Sequence, residues 1–130
     1  MNIGIIGAGQ LGRMLALAGY PLGQRFVFLD HSADAPGGQV GQIICGEFSD
    51  PQRLAELAAR VDVLTYDVEN VPAEAVRDVA RSTPFLPPPS ALEAGQDRLN
   101  EKRLFERLGI PSPDFRTVDS RPQLEAAVAA

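Results

Sequence analysis

A chain of 130 residues is the length of one domain, enough to bury roughly two-thirds of its unfolded surface and too short for a cofactor domain plus a separate catalytic domain. With 45% hydrophobic and 22% charged residues, it has the composition of a folded globular chain rather than a disordered one. Its net charge of -5, with twelve Lys and Arg scattered along the sequence, lacks the basic stripe of a nucleic-acid binder, so no nucleic acid is expected as a partner.

In chain order, Asn2 to Ile6 reads as a buried parallel strand. It has no basic lead-in and passes straight into glycines, so it is not a signal peptide. No segment approaches the eighteen or so apolar residues of a membrane span, and the expectation is a soluble, cytoplasmic protein with no membrane partner. The glycines of GAGQLG (Gly7, Gly9, Gly12) hand over to a helix from about Gln10 to Tyr20, ended by Pro21 and Gly23. Arg25 to Asp30 is the second strand, with its acid at the carboxyl end. The loop HSADAPGGQ leads to a short strand, Gln42 to Cys45, where the sole cysteine has no partner for an internal disulfide and reads as a buried strand thiol. Ser49-Asp50-Pro51 supplies a cap followed by a first-turn proline for a helix running up to Val61. Asp62 to Asp67 is a fourth strand, Pro72 opens a helix through Arg81, and Pro84 to Leu86 is a brief fifth strand. This alternation predicts an α/β fold with a mostly parallel sheet covered by helices on both faces.

Pro87-Pro88-Pro89 then reads as a stiff boundary, dividing residues 1–89 from 90–130. Beyond it the pattern predicts a polar helix from Gln96 to Leu108, stopped by Gly109 and Pro111, a strand over PDFRTV, and a helix from Pro122 to Ala130. That helix runs off the end of the chain, which reads as a fragment of a larger protein.

Three stretches carry candidate chemistry. The G-x-G-x-x-G spacing supplies a tight turn, close approach of an anion to backbone, and close packing of helix on strand, and the helix amino terminus offers unpaired N–H groups. Asp30, about eighteen residues past Gly12, stands where a dinucleotide enzyme keeps its ribose-binding acid. Dinucleotide binding, another anion, and a purely structural turn all stay open on this local reading. YDVENVP places Asp67 and Glu69 just outside the carboxyl end of the fourth strand, where acids suit hydroxyl or amine groups of a ligand or are simply solvated. In QDRLNEKRLFERLGIP, Arg98 and Lys102 form a like-charge pair four apart, which favours a nearby anion unless Glu101 and Glu106 neutralise it on a solvated helix.

Taken together, GAGQLGRMLALAGYPLG, ADAPGGQV, GEFSD, TYDVENVP and PPPSALEAGQDRLNEKRLFERLGIPSPDF resemble, in order and spacing, the amino-terminal part of the N5-carboxyaminoimidazole ribonucleotide synthetase family, within the ATP-grasp superfamily of purine biosynthesis. The resemblance spans essentially the whole chain. It implies a Rossmann-like pre-ATP-grasp domain that uses its glycine loop for a nucleotide substrate without NAD, followed by the start of an ATP-grasp domain. It also implies an ATP-dependent carbon-nitrogen ligase joining bicarbonate to the amine of 5-aminoimidazole ribonucleotide, with ATP and Mg2+ held mainly beyond residue 130. By the same resemblance Gly9, Gln10, Leu11 and Glu69 are substrate contacts, with Asp30, His31 and Asn70 as further candidates. Arg98 matches the arginine that touches ATP phosphates. No residue matches a catalytic group or a metal ligand, so the 130 residues alone are expected to be inactive, and family members are expected to pair as homodimers. Three other readings remain: a formate-dependent glycinamide ribonucleotide transformylase relative, which tends to carry an acid where Gln10 stands, an NAD-binding oxidoreductase domain, and a non-catalytic oligomerisation module.

Overall fold

Four apolar, β-branched and aromatic runs form parallel strands in the computed structural model, which describes residues 1–129. They are β1 (Asn2–Ile6), β2 (Arg25–Asp30), β3 (Gln42–Cys45) and β4 (Val63–Tyr66), in spatial order β3-β2-β1-β4. The register sets Ile5 beside Phe28 on one neighbour and Thr65 on the other, and Leu29 beside Ile44. Central strands of a parallel sheet are covered on both faces, which is why β1 and β2 read as continuous rather than alternating apolar runs.

Alternate residues feed two cores. Ile5, Phe26 and Phe28 bury against Ala16 of α1 (Gln10–Gly19). Ile6, Val27, Leu29, Ile44 and Leu64 bury with Leu54 and Leu57 of α2 (Pro51–Ala58) and Val76 of α3 (Ala73–Val79). The α/β architecture with helices on both faces of a parallel sheet is thus the one expected from the alternation of elements. Asp50 caps α2 by accepting the N–H groups of Gln52 and Arg53, with Pro51 in the first turn where no N–H is needed.

Several elements differ from expectation. The fifth strand is a single parallel bridge between Leu64 and Phe85, with Leu64 N–H on Pro84 O at 2.8 Å and Leu86 N–H on Leu64 O at 2.9 Å. Pro84 and Pro87 have no N–H to extend it. Cys45 is exposed rather than buried, because β3 is an edge strand and Cys45 follows the inward-facing Ile44, pointing its thiol at the carbonyl of His31 instead of the core. Pro89 does not end regular structure but begins α4 (Pro89–Gln96). The predicted helix from Gln96 is therefore two helices, and Asp97 caps the second, α5 (Arg98–Leu108), through the N–H of Asn100. Gly109, at φ +65°, ends α5 as expected. Residues 113–118 form no strand, since a strand needs a neighbour to take its N–H and C=O groups and none pairs with it among the described residues. α6 (Arg121–Val128) matches the last predicted helix, except that its expected end at Ala130 lies outside the described residues.

The chain divides into two compact units, Met1–Glu93 and the residues from Ala94 on. The first contains the sheet and both cores, and Leu92 of α4 belongs to its core. In the second, neither α5 nor α6 buries a residue completely.

Candidate functional site

The glycine loop between β1 and α1 is built from three glycines with three different reasons. Gly7 has φ +98°, a conformation closed to most side chains, and its N–H bonds Leu29 O at 2.8 Å. A Cβ on Gly12 would stand 2.8 Å from Gly7 O, so only glycine lets the start of α1 sit on the loop. Gly9 has an ordinary φ of -67°, and a Cβ there would meet only Asp67 Oδ2, at 3.4 Å. The fold accounts for the first and third glycines and leaves Gly9 without a structural need.

The loop is held between two carboxylates from neighbouring strands. From the end of β2, Asp30 Oδ2 accepts the N–H of Ala8 at 2.7 Å and Oδ1 accepts that of Ser32 at 3.0 Å. From the end of β4, Asp67 Oδ2 accepts the N–H of Gly12 at 2.8 Å. Gly9 is the N-cap residue of α1 and offers no capping side chain, so Asp67 supplies the capping oxygen from 55 positions away. Arg13 N–H bonds Gly9 O at 3.0 Å. The N–H groups of Gly9, Gln10 and Leu11 are left with no acceptor among the described residues, on a half-buried to exposed rim.

One side of the loop is closed. Gly37, in the short helical turn Pro36–Gln39, donates its N–H to Ala8 O at 2.7 Å, and a Cβ at Gly37 would lie 2.9 Å from that of Ala8. This turn lies against the backbone at Ala8, just after β1, and Ala8 is fully buried. In dinucleotide-binding relatives of this architecture the acid after β2 faces a ribose. Here each oxygen of Asp30 accepts a backbone amide, so Asp30 holds the shape of the loop.

The other side lies between β1 and β4, where the strand order reverses and open parallel sheets take their ligands. Val68 and Asp67 lie against Gly7, and Glu69 and Asn70 follow as an exposed turn. Leu11 and Asp67 line one shallow hollow of about 390 Å3 with Met14, Leu15, Ala18 and Tyr66. A larger hollow, about 560 Å3, lies between α2 and α3 and includes none of the loop residues. The smaller one is the better candidate, because unpaired donors and an acid converge beside it.

Of the candidate residues, Gly9, Gln10 and Leu11 thus share one loop, with Asp30 behind it, and Glu69 and Asn70 follow the strand that caps it. His31 is engaged elsewhere, its Nδ1 3.2 Å from Glu47 Oε2 and its ring on Phe48. Arg98 belongs to the second unit, where its guanidinium is exposed and pairs Glu101 Oε2 at 2.9 Å. Asp67 was visible in the sequence only as an acid at a strand end. Its bond to Gly12 depends on β4 lying next to β1, which no local pattern encodes.

Residues 1–96 match the model of the ribonucleotide synthetase preATP-grasp domain. The N5-carboxyaminoimidazole ribonucleotide synthase of Pseudomonas aeruginosa is 48% identical over 130 residues, covering all of this chain and 36% of that protein. The crystal structure of N5-carboxyaminoimidazole ribonucleotide synthetase from Thermus thermophilus superposes with a TM-score of 0.89 at 52% identity, over 98% of this chain and 35% of the other. That of the Staphylococcus aureus N5-carboxyaminoimidazole synthetase complexed with ADP gives 0.93 at 32% identity, over 98% and 35%. The chain therefore spans about a third of the length of these relatives.

Proposed function

Because the chain belongs to the ribonucleotide synthetase preATP-grasp domain family, we propose that it is the ribonucleotide-binding part of an ATP-dependent carbon-nitrogen ligase that carboxylates 5-aminoimidazole ribonucleotide. The observation that carries this reading is the loop itself. Three backbone N–H groups at the start of α1 stand unpaired beside the β1/β4 side, where open parallel sheets take their ligands.

On this reading Gly9, Gln10 and Leu11 take the phosphate end of the ribonucleotide with their backbone amides, helped by the partial positive charge of the helix start. Glu69 and Asn70 face the hydroxyl or amine groups, where a carboxylate is a good acceptor and a poor neighbour for phosphate. Asp30 orders the loop from behind, and Arg98 touches ATP phosphates, where a fixed guanidinium opposes developing charge. Bicarbonate is the group joined to the amine. ATP supplies the activation of bicarbonate when bound. Among the described residues no three His, Cys, Asp or Glu side chains gather as a metal cage, and on this reading Mg2+ is held with ATP mainly by parts beyond residue 130.

Among the described residues no helix is long and apolar enough to cross a membrane, and placement in the cytoplasm belongs to the same proposal. Pairing as a homodimer is part of the same proposal, and sedimentation tests it. The function is tested by titrating 15N-labelled protein with 5-aminoimidazole ribonucleotide. Shifts centred on the amides of Gly9, Gln10 and Leu11 support the reading, and shifts confined to other surfaces overturn it.

A further inference from the structure

α1 begins in an unusual way. A serine, threonine or aspartate at the N-cap ordinarily accepts the N–H three residues on, and replacing such a cap weakens a helix by about 1 kcal/mol. Here position 9 is glycine, although a Cβ would meet only Asp67 Oδ2 at an ordinary 3.4 Å, and the cap oxygen comes from Asp67 on another strand. Moving the cap to Asp67 satisfies Gly12 from the side and leaves the space in front of Gly9 empty.

The same move puts a negative charge beside the amides that take a phosphate on the reading above. A carboxylate is welcome at a helix start in the unliganded protein, since it complements the dipole. Once a phosphate arrives, the two anions compete for the same positive end and repel each other. We propose that Asp67 is a positioning residue with two opposed effects on the ribonucleotide site: its hydrogen bond to Gly12 holds the glycine loop in its binding shape, and its charge weakens the hold of that loop on phosphate.

This rests on the proposed ribonucleotide site and deepens it, because it separates shape from charge at one side chain. Asp67→Asn keeps an oxygen able to accept the Gly12 N–H and removes the charge. Asp67→Ala removes both. The geometry thus gives the two variants opposite signs, which a residue needed only for folding would not do.

The test is a calorimetric and NMR titration of the 130-residue protein and both variants with 5-aminoimidazole ribonucleotide, and with ribose 5-phosphate as the phosphate-only probe. Asp67→Asn is expected to bind both about fivefold more tightly, and Asp67→Ala about tenfold more weakly. Hydrogen exchange at the Gly12 amide is expected to stay slow in Asp67→Asn and to become fast in Asp67→Ala. Binding to the unaltered protein at Gly9, Gln10 and Leu11, combined with equal or weaker binding by Asp67→Asn, overturns this inference and leaves the site standing. Absence of binding at those amides in the unaltered protein overturns both. If Asp67→Ala does not fold, the comparison of Asp67→Asn with the unaltered protein decides alone.

Discussion

Gly9 and Gly12 are two positions of one motif with different physical demands, and substitution separates them. Gly12→Ala drives a Cβ onto the backbone oxygen of Gly7, so it is expected to lower stability by about 2 kcal/mol or more, seen as a lower midpoint in chemical denaturation. Gly9→Ala is expected to lower stability by at most about 1 kcal/mol yet to abolish ribonucleotide shifts in NMR, because the methyl occupies the ligand's approach. Glu69 and Arg98 divide the proposed ligands in the same way. In a protein carrying this domain together with its nucleotide-binding parts, Glu69→Ala is expected to raise the KM for ribonucleotide about tenfold with the KM for ATP nearly unchanged, and Arg98→Ala the reverse. Steady-state kinetics check this, and equal effects on both ligands contradict it. The glycines could be read directly because turn geometry and helix packing are local demands. Asp67 could not be read that way, since its partner is 55 residues distant and the meeting depends on strand order. Cys45 was misread because an apolar run does not say which of its residues faces the edge.

At the scale of elements, the strands and their helices were legible wherever apolar periodicity and a cap coincided. α2 is the clearest instance: Asp50 holds two amides, Pro51 opens the first turn, and Leu54 and Leu57 reach the core. Asp50→Ala is expected to lower the stability of the first unit by about 1 kcal/mol, measured by thermal or denaturant unfolding, with ligand binding at the glycine loop unchanged, since the Asp50 cap bonds reach only Gln52 and Arg53. Where elements were misjudged, a residue's position mattered more than its type. Pro89 reads as a breaker, yet proline at the first helical position loses nothing, because the N–H it lacks would have been unpaired. The stretch at 113–118 has strand-like residues, but a strand is a relation between two segments and is not a property of one.

For the whole molecule, the proposed ribonucleotide site makes a direct prediction about ligand class. Fluorescence titration with NADH is expected to show no micromolar binding, and such binding would contradict the ribonucleotide reading of the glycine loop. The 130 residues are likewise expected to release no phosphate from ATP in the presence of bicarbonate and ribonucleotide, as measured by a coupled phosphate assay. The remote cap on α1 has a further consequence for how the domain comes into being. Chains are synthesised from the amino end, so the first strand, helix and second strand leave the ribosome well before residue 67. Until β4 docks along β1, the Gly12 amide has no carboxylate to meet and the glycine loop lacks one of the two carboxylates that hold it. A nascent domain halted between β3 and β4 would hold its G-x-G-x-x-G intact and still lack the loop shape that the proposed site requires.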